Sequence, residues 1–281
     1  RIFRSATVTT HRRFPVNVTA MTTAKQNRSS ARATTAVNAS SAPAVLDLLQ
    51  SLSGLFLGVF MWGHMFMVGS ILLGKDAMYA VTRFFEGYYF FGRPYPIIVS
   101  IVVGVVFVVF IAHALLAMRK FPSNYREYRE MKQHRNSIRH GDTNLWFIQA
   151  YTGFAMFFLG SVHLYVMLTS ADLIGPYASS DRVWSQSMWP LYLLLLLAVE
   201  FHGGIGLYRL AVKWGWFEGR DVAHSRRNLK RLKWAITVFL LTLGLATLAA
   251  YMKIGIEHAD RVGERYSPAA AMVTEPRGDV S

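Results

Sequence analysis

The chain's 281 residues are 53% hydrophobic and only 16% charged, with a formal net charge of +14. Soluble domains carry about 25% charged residues, so this balance points to membrane spans joined by basic loops. The absence of cysteine excludes iron–sulfur clusters held by this chain, thioether-linked haem and disulfides.

Residues 1–42 are rich in Ser, Thr, Ala, Arg and Asn without an apolar period, and are expected to form a disordered N-terminal extension. They hold no apolar core followed by a small-residue cleavage site, so no secretory signal peptide is expected, and Met21 is a candidate initiator. A short amphipathic helix is predicted over 43–51. Five apolar runs follow at 52–73, 95–118, 145–169, 187–211 and 234–256, each holding the roughly 20 residues that cross a bilayer core. The first three contain no Asp, Glu, Lys or Arg; the fourth contains Glu200 and Arg209, the fifth only Lys253. The expected fold is an all-α integral membrane bundle of five transmembrane helices over 43–258, followed by a tail at 259–281.

Lys and Arg set the orientation. Seven lie in 1–42, seven in 119–144 and seven in 212–233, against three in 74–94, one in 170–186 and three in the tail. The three heavy segments share one face of a five-span bundle. By the positive-inside rule that face is cytoplasmic, with the N-terminus inside and the tail extracytoplasmic. The inner loops are large and basic enough to dock a soluble partner; no nucleic-acid partner is expected.

Four of the nine histidines fall within spans, one in each of the first four: His64, His113, His163 and His202. Ionisable residues in a membrane are functional by default. A single such histidine is equally explained as a neutral interhelical hydrogen-bonding group, but four in consecutive spans are much harder to explain that way. Alternating helix directions place His64 and His163 at an outer level and His113 and His202 at an inner one, roughly 15 Å apart in height by helical rise. Zinc and copper favour three or four ligands at one level, and each level here offers two. Two stacked pairs instead match two bis-histidine haems held by four of the five helices. Gly153 and Gly160 share a helix face with His163, where small residues would admit a porphyrin or simply pack helices. Gly203, Gly204 and Gly206 follow His202. Arg209 and Lys213 lie near its side of the helix, where either would pair with propionates or act as a boundary anchor.

The segments WGHMF, FIAHALLAMRKFP, GSVHLYVML and EFHGGIGLYRLAVKWG, within residues 45–258, resemble the five-helix dihaem cytochrome b subunit of menaquinol:fumarate and succinate:menaquinone reductases. The resemblance rests on the whole spacing of histidines and acids. It implies an outer haem b on His64 and His163 and an inner one on His113 and His202. It also implies that Glu86, in the aromatic stretch FFEGYYFFGRPYP, is the acid of the menaquinol site, and that Glu200 is an intramembrane proton relay. Gln50, Ser51, Trp146 and Lys213 would then stand at the inner propionates and Arg182 near the outer haem. The implied partners are an iron–sulfur subunit and an FAD flavoprotein, in a dimer of heterotrimers among membrane lipid. The implied activity is menaquinol oxidation near the outer face, with electrons delivered to a cytoplasmic fumarate reductase. Two alternatives remain at this stage. One is a dihaem subunit of formate dehydrogenase or nitrate reductase type; the other is a haem-free anchor or transporter with structural histidines.

Overall fold

The structure, a computed structural model, describes residues 41–138 and 141–268. The expected extension up to residue 40 and the tail beyond 268 lie outside the described residues. Among the described residues all regular structure is helical, and five helices are long and apolar enough to cross a membrane. These are α1 (Ala42–Gly69), α4 (Pro96–Met118), α6 (Gly141–Thr169), α8 (Trp189–Lys213) and α9 (Val222–Glu257). Shorter helices lie between them: α2 (Lys75–Phe85), α3 (Tyr88–Phe91), α5 (Tyr125–Ile138) and α7 (Pro176–Val183).

Local chemistry sets several boundaries. Pro96 and Pro176 stand at helix starts, where the missing N–H has no intrahelical partner to lose. Asp221 caps α9, its carboxylate accepting from the His224 N–H at 2.9 Å. The left-handed glycines Gly87 and Gly92 bracket α3, at φ values of 76° and 71° that a side chain would resist.

Three expectations change. The predicted amphipathic helix over 43–51 is no separate element: it continues unbroken into the first span, so α1 carries Asp47 into its own first turns. The first span itself ends at residue 73 as expected, its last turn a 3₁₀ at Ser70–Leu73. The expected outer loop at 74–94 is largely α2 and α3. The fifth span begins well before residue 234, because the basic segment 222–233 has helix-forming residues and a capped start even though it is not apolar.

The backbones of α6 and α8, α8 and α9, and α4 and α6 pack closely, and α9 packs against α7 near its outer end. α1 reaches the others mainly through side chains. Met61 and Met65 of α1 meet Leu196 of α8 and Leu240 of α9 in one core cluster, and Ile71, Met78, Val183 and Tyr251 form another at the outer end. Small residues admit the closest approaches. A Cβ on Gly255 of α9 would come within 2.7 Å of the Ser180 carbonyl oxygen of α7. Outward positions such as Ile101, Val108 and Phe158 remain more than half exposed, as expected where the solvent is hydrocarbon.

Candidate functional site

The four intramembrane histidines meet in two pairs. The ring centres of His64 (α1) and His163 (α6) lie 6.1 Å apart, and those of His113 (α4) and His202 (α8) lie 6.5 Å apart. An imidazole binds a metal through one nitrogen at about 2 Å, and that nitrogen lies about 1 Å from the ring centre. Two rings sharing one metal should therefore have centres about 6 Å apart. Both pairs meet that spacing. Among the described residues no three or more His, Asp or Glu side chains gather, so nothing there builds a three-ligand site.

The inner rings are held. His202 Nδ1 lies 2.8 Å from the backbone carbonyl of Gln149, which only accepts, so this nitrogen carries the proton and Nε2 is left with a lone pair. His113 Nδ1 lies 3.0 Å from the Ser53 hydroxyl, whose own proton goes to the Gln50 carbonyl at 3.1 Å. The hydroxyl therefore accepts from His113, and that Nε2 is free as well. Each ring also lies against a glycine. A Cβ on Gly54 would stand 2.9 Å from His113 Cε1, and one on Gly153 would stand 2.9 Å from His202 Cε1. Gly153 thus makes room for the imidazole itself, and Gly160 makes room for Phe110, 3.3 Å away. Gly204 and Gly206 face Thr237 and Gln149 respectively.

The outer pair is set differently. His64 and His163 line a mainly apolar cavity of about 430 Å³, with Phe110, Met156, Tyr192 and Arg182 among its walls. The His64 ring stacks on Phe60 at 5.9 Å, and the His163 ring meets Tyr192 edge-on at 5.6 Å. His163 Nδ1 is buried without a partner. Arg182, 5% exposed, donates to the Leu173 carbonyl at 2.7 Å. The residues fit a metal group at each level: each pair could hold one metal between two ring nitrogens, with apolar walls and Arg182 at the His64–His163 pair and Lys213 and Arg209 beyond His202.

Glu86 is no solvated loop carboxylate. It caps the C-terminus of α2, is only 4% exposed, and pairs with Arg83 at 2.8 Å. It lines a small polar cavity of about 50 Å³ with Tyr79, Asp172, Tyr177, Arg265 and Tyr266. Thr82 and Ile174 are walls of both this cavity and the histidine cavity. The aromatic side chains of α3 point outward instead, with Phe90 at 72% exposure.

Glu200 is 1% exposed, and its Oε1 is buried without a hydrogen bond. Its neighbours one turn away on α8, Leu196 and Gly204, both meet α9, which sets Glu200 on the α8–α9 side of the helix. At the inner end Lys213 donates to the Ser51 hydroxyl at 2.7 Å and is ion-paired with Asp47, which also holds Lys120 at 2.5 Å. Gln50 Oε1 is buried and unpartnered. Trp146 packs on Phe121, with ring centres 5.9 Å apart, and is not brought to either pair. Arg209 donates to the Gln149 side chain at 2.6 Å.

Sequence reasoning missed Asp47, Ser53, Gly54 and Gln149. The available signal was their spacing: Gly54 lies one turn after Gln50 and Ser51, in an otherwise apolar stretch. It also missed an outer cap in which buried His258 meets Asp181 at 2.9 Å and stacks on Tyr177 at 4.1 Å, beside a Tyr266–Asp76 hydrogen bond of 2.5 Å. Burial, together with that hydrogen bond, pushes the Tyr266 phenol up to about 12.

Residues 125–245 match a family described as succinate dehydrogenase/fumarate reductase transmembrane subunit. The chain is 60% identical over 218 residues to the fumarate reductase cytochrome b subunit of Wolinella succinogenes, covering 78% of this chain and 85% of that one. It is 54% identical over 217 residues to the protein of the same description from Helicobacter pylori strain J99, covering 77% and 84%. The protein from H. pylori strain 26695 is likewise 54% identical.

Proposed function

Because the chain belongs to the fumarate reductase cytochrome b subunits, we propose that it is the quinol-oxidising membrane subunit of a fumarate reductase complex and binds two b haems. The observation that carries this reading is the pairing of four histidines at metal-sharing distance in two layers. His64 and His163 would hold the outer haem, and His113 and His202, through Nε2, the inner one. Haem held there would supply one-electron carriage, and an iron–sulfur subunit and an FAD flavoprotein would take the electrons on to fumarate.

The chain's own residues handle protons and position. Menaquinol, an apolar ring with two hydroxyls, suits a site where an apolar cavity and a polar one share the Thr82 and Ile174 walls. Glu86, fixed by Arg83, would accept the hydroxyl proton and release it into the polar cavity. Glu200, an intramembrane acid with an unpartnered oxygen, would relay a proton along the α8–α9 seam; a purely structural acid is the alternative for it. Arg182 would balance charge at the outer haem, and Gln50, Ser51 and Lys213 at the inner propionates. Trp146 is assigned there on the resemblance alone. On the same reading the basic face is cytoplasmic in a bacterial inner membrane, and the complex is a dimer of heterotrimers.

Purification of the chain with its bound subunits tests this. The expected result is a reduced-minus-oxidised spectrum of two b haems per chain, with co-purifying FAD and iron–sulfur protein and fumarate-dependent menaquinol oxidation. A spectrum without haem would leave only the haem-free anchor. A formate- or nitrate-linked partner in place of the flavoprotein would favour the other dihaem class.

A further inference from the structure

A buried acid that accepts the quinol's proton must hand it on before the next turnover. The surroundings of Glu86 restrict how. The carboxylate is 4% exposed, is held by Arg83, and lines the polar cavity of about 50 Å³. A cavity of that volume has room for a few water molecules.

Part of the cavity wall comes from the segment that follows α9. Beyond a 3₁₀ turn at Ala259–Arg261, this segment is fastened across the outer end of the bundle. The Gly263 N–H donates to Asp181 of α7 at 3.0 Å, and Asp181 also holds the buried His258. Arg265 pairs with Asp172 at 3.6 Å, and the Tyr266 hydroxyl donates to Asp76 of α2 at 2.5 Å. Arg265 and Tyr266 both line the cavity.

Two exposed carboxylates, Asp172 and Asp76, thus meet this wall, and they differ as proton acceptors. Asp172 is paired with an arginine, which favours its charged form. Asp76 accepts from a phenol instead. The Tyr266 ring is set edge-on against Tyr177 at 5.2 Å and against Tyr79 at 6.0 Å. Its phenol, pushed up to about 12 by burial and by the Asp76 bond, keeps its proton at neutral pH. It therefore carries a proton only by taking one as it gives another up.

Resting on the quinol site proposed above, we propose that Tyr266 and Asp76 form the exit relay for the proton that Glu86 accepts. Water in the cavity takes the proton from Glu86 and gives one to the Tyr266 oxygen. Tyr266 passes its own proton to Asp76, and Asp76 releases it to the outer solution. One proton enters the relay and one leaves, no electron moves, and both residues end as they began.

The test uses the intact complex and records quinol-driven fumarate reduction in light and heavy water. Asp76→Asn and Tyr266→Phe, which keep shape while removing the acceptor and the hydroxyl, should each slow it about tenfold. The solvent isotope effect should rise as proton exit becomes rate-limiting, and azide, the base of a small weak acid, should restore part of the rate. Both haems, and fumarate reduction from an artificial soluble donor, should be unchanged. Glu257→Gln, which removes an exposed carboxylate 3.9 Å from Lys253, should not slow turnover. If Asp76→Asn fails to assemble, Tyr266→Phe carries the same test, since its ring still packs on Tyr177 and Tyr79. Wild-type turnover in both variants, beside an inactive Glu86→Gln, would overturn the relay and leave the quinol site standing. Slow variants with an unchanged isotope effect and no rescue by azide would also overturn it, leaving the Tyr266–Asp76 bond as a structural clasp. A wild-type complex that oxidises no quinol would overturn the quinol site and the relay with it.

Discussion

His113 and His202 at the inner level are each tied by Nδ1 to a fixed acceptor and pressed against a glycine, while His64 and His163 at the outer level stand in a wide apolar cavity with one ring nitrogen unpartnered. The contrast concerns the partners around the rings, since the spacing within each pair is nearly the same. Hydrogen-bond acceptors that orient both rings in advance suit a site whose only task is to hold a redox group. A layer left roomy and close to a buried acid suits a site that must also admit a substrate.

The largest expected effect tests whether the layers are separate at all. His64→Ala and His163→Ala should each remove the same haem from the spectrum, and His113→Ala and His202→Ala should each remove the other. Loss of spectrally identical haems from His64→Ala and His202→Ala would break the pairing, and loss of none would remove the cytochrome assignment altogether.

Glu86→Gln sharpens the comparison on the outer side. It keeps shape while removing the proton acceptor beside the roomy layer. Quinol oxidation should fall by about 100-fold or more. Both haems, and fumarate reduction from an artificial soluble donor, should survive. Quinol turnover at the wild-type rate would reduce the Arg83–Glu86 pair to a structural cap of α2.

The same contrast explains what could be read from the sequence. The five spans were legible because a bilayer demands about 20 apolar residues from each. The four histidines were legible because polar groups are rare in that setting, and their depths follow from helical rise alone. The supporting residues of the inner layer were not. Ser53, Gly54 and the Gln149 backbone are ordinary in composition, and their role exists only once α1 meets α4 and α6 meets α8. Asp47 was hidden because residues 43–51 have the pattern of a separate peripheral helix, whereas they form the first turns of α1. The burial of Glu86 was equally hidden, since a carboxylate in an apparent loop gives no sign that α2 and the 170s segment close over it.

Glu200 belongs to neither pair and lies on the α8–α9 side of its helix. Glu200→Gln should keep both haems and lose most quinol-linked turnover, on the order of tenfold. The pH dependence of at least one haem potential should also change. A variant with unchanged turnover and unchanged haem titration would leave Glu200 as a buried structural acid.

Ser53→Ala is the finest probe of the difference between the layers, because it alters one inner ring's support and leaves every ligand in place. The hydroxyl accepts from His113 Nδ1 and has no counterpart at His64 or His163. Removing such a partner typically costs 10–100-fold in metal affinity. The loss should therefore be at least about tenfold. Titrating haem into the stripped complex should show that loss at the inner site alone, with the outer site unchanged. Ser53→Thr, which keeps a hydroxyl on the same carbon, should recover most of it. A change at the outer site, or no change in either layer, would mean that His113 is positioned by helix packing and Gly54 rather than by its hydrogen bond.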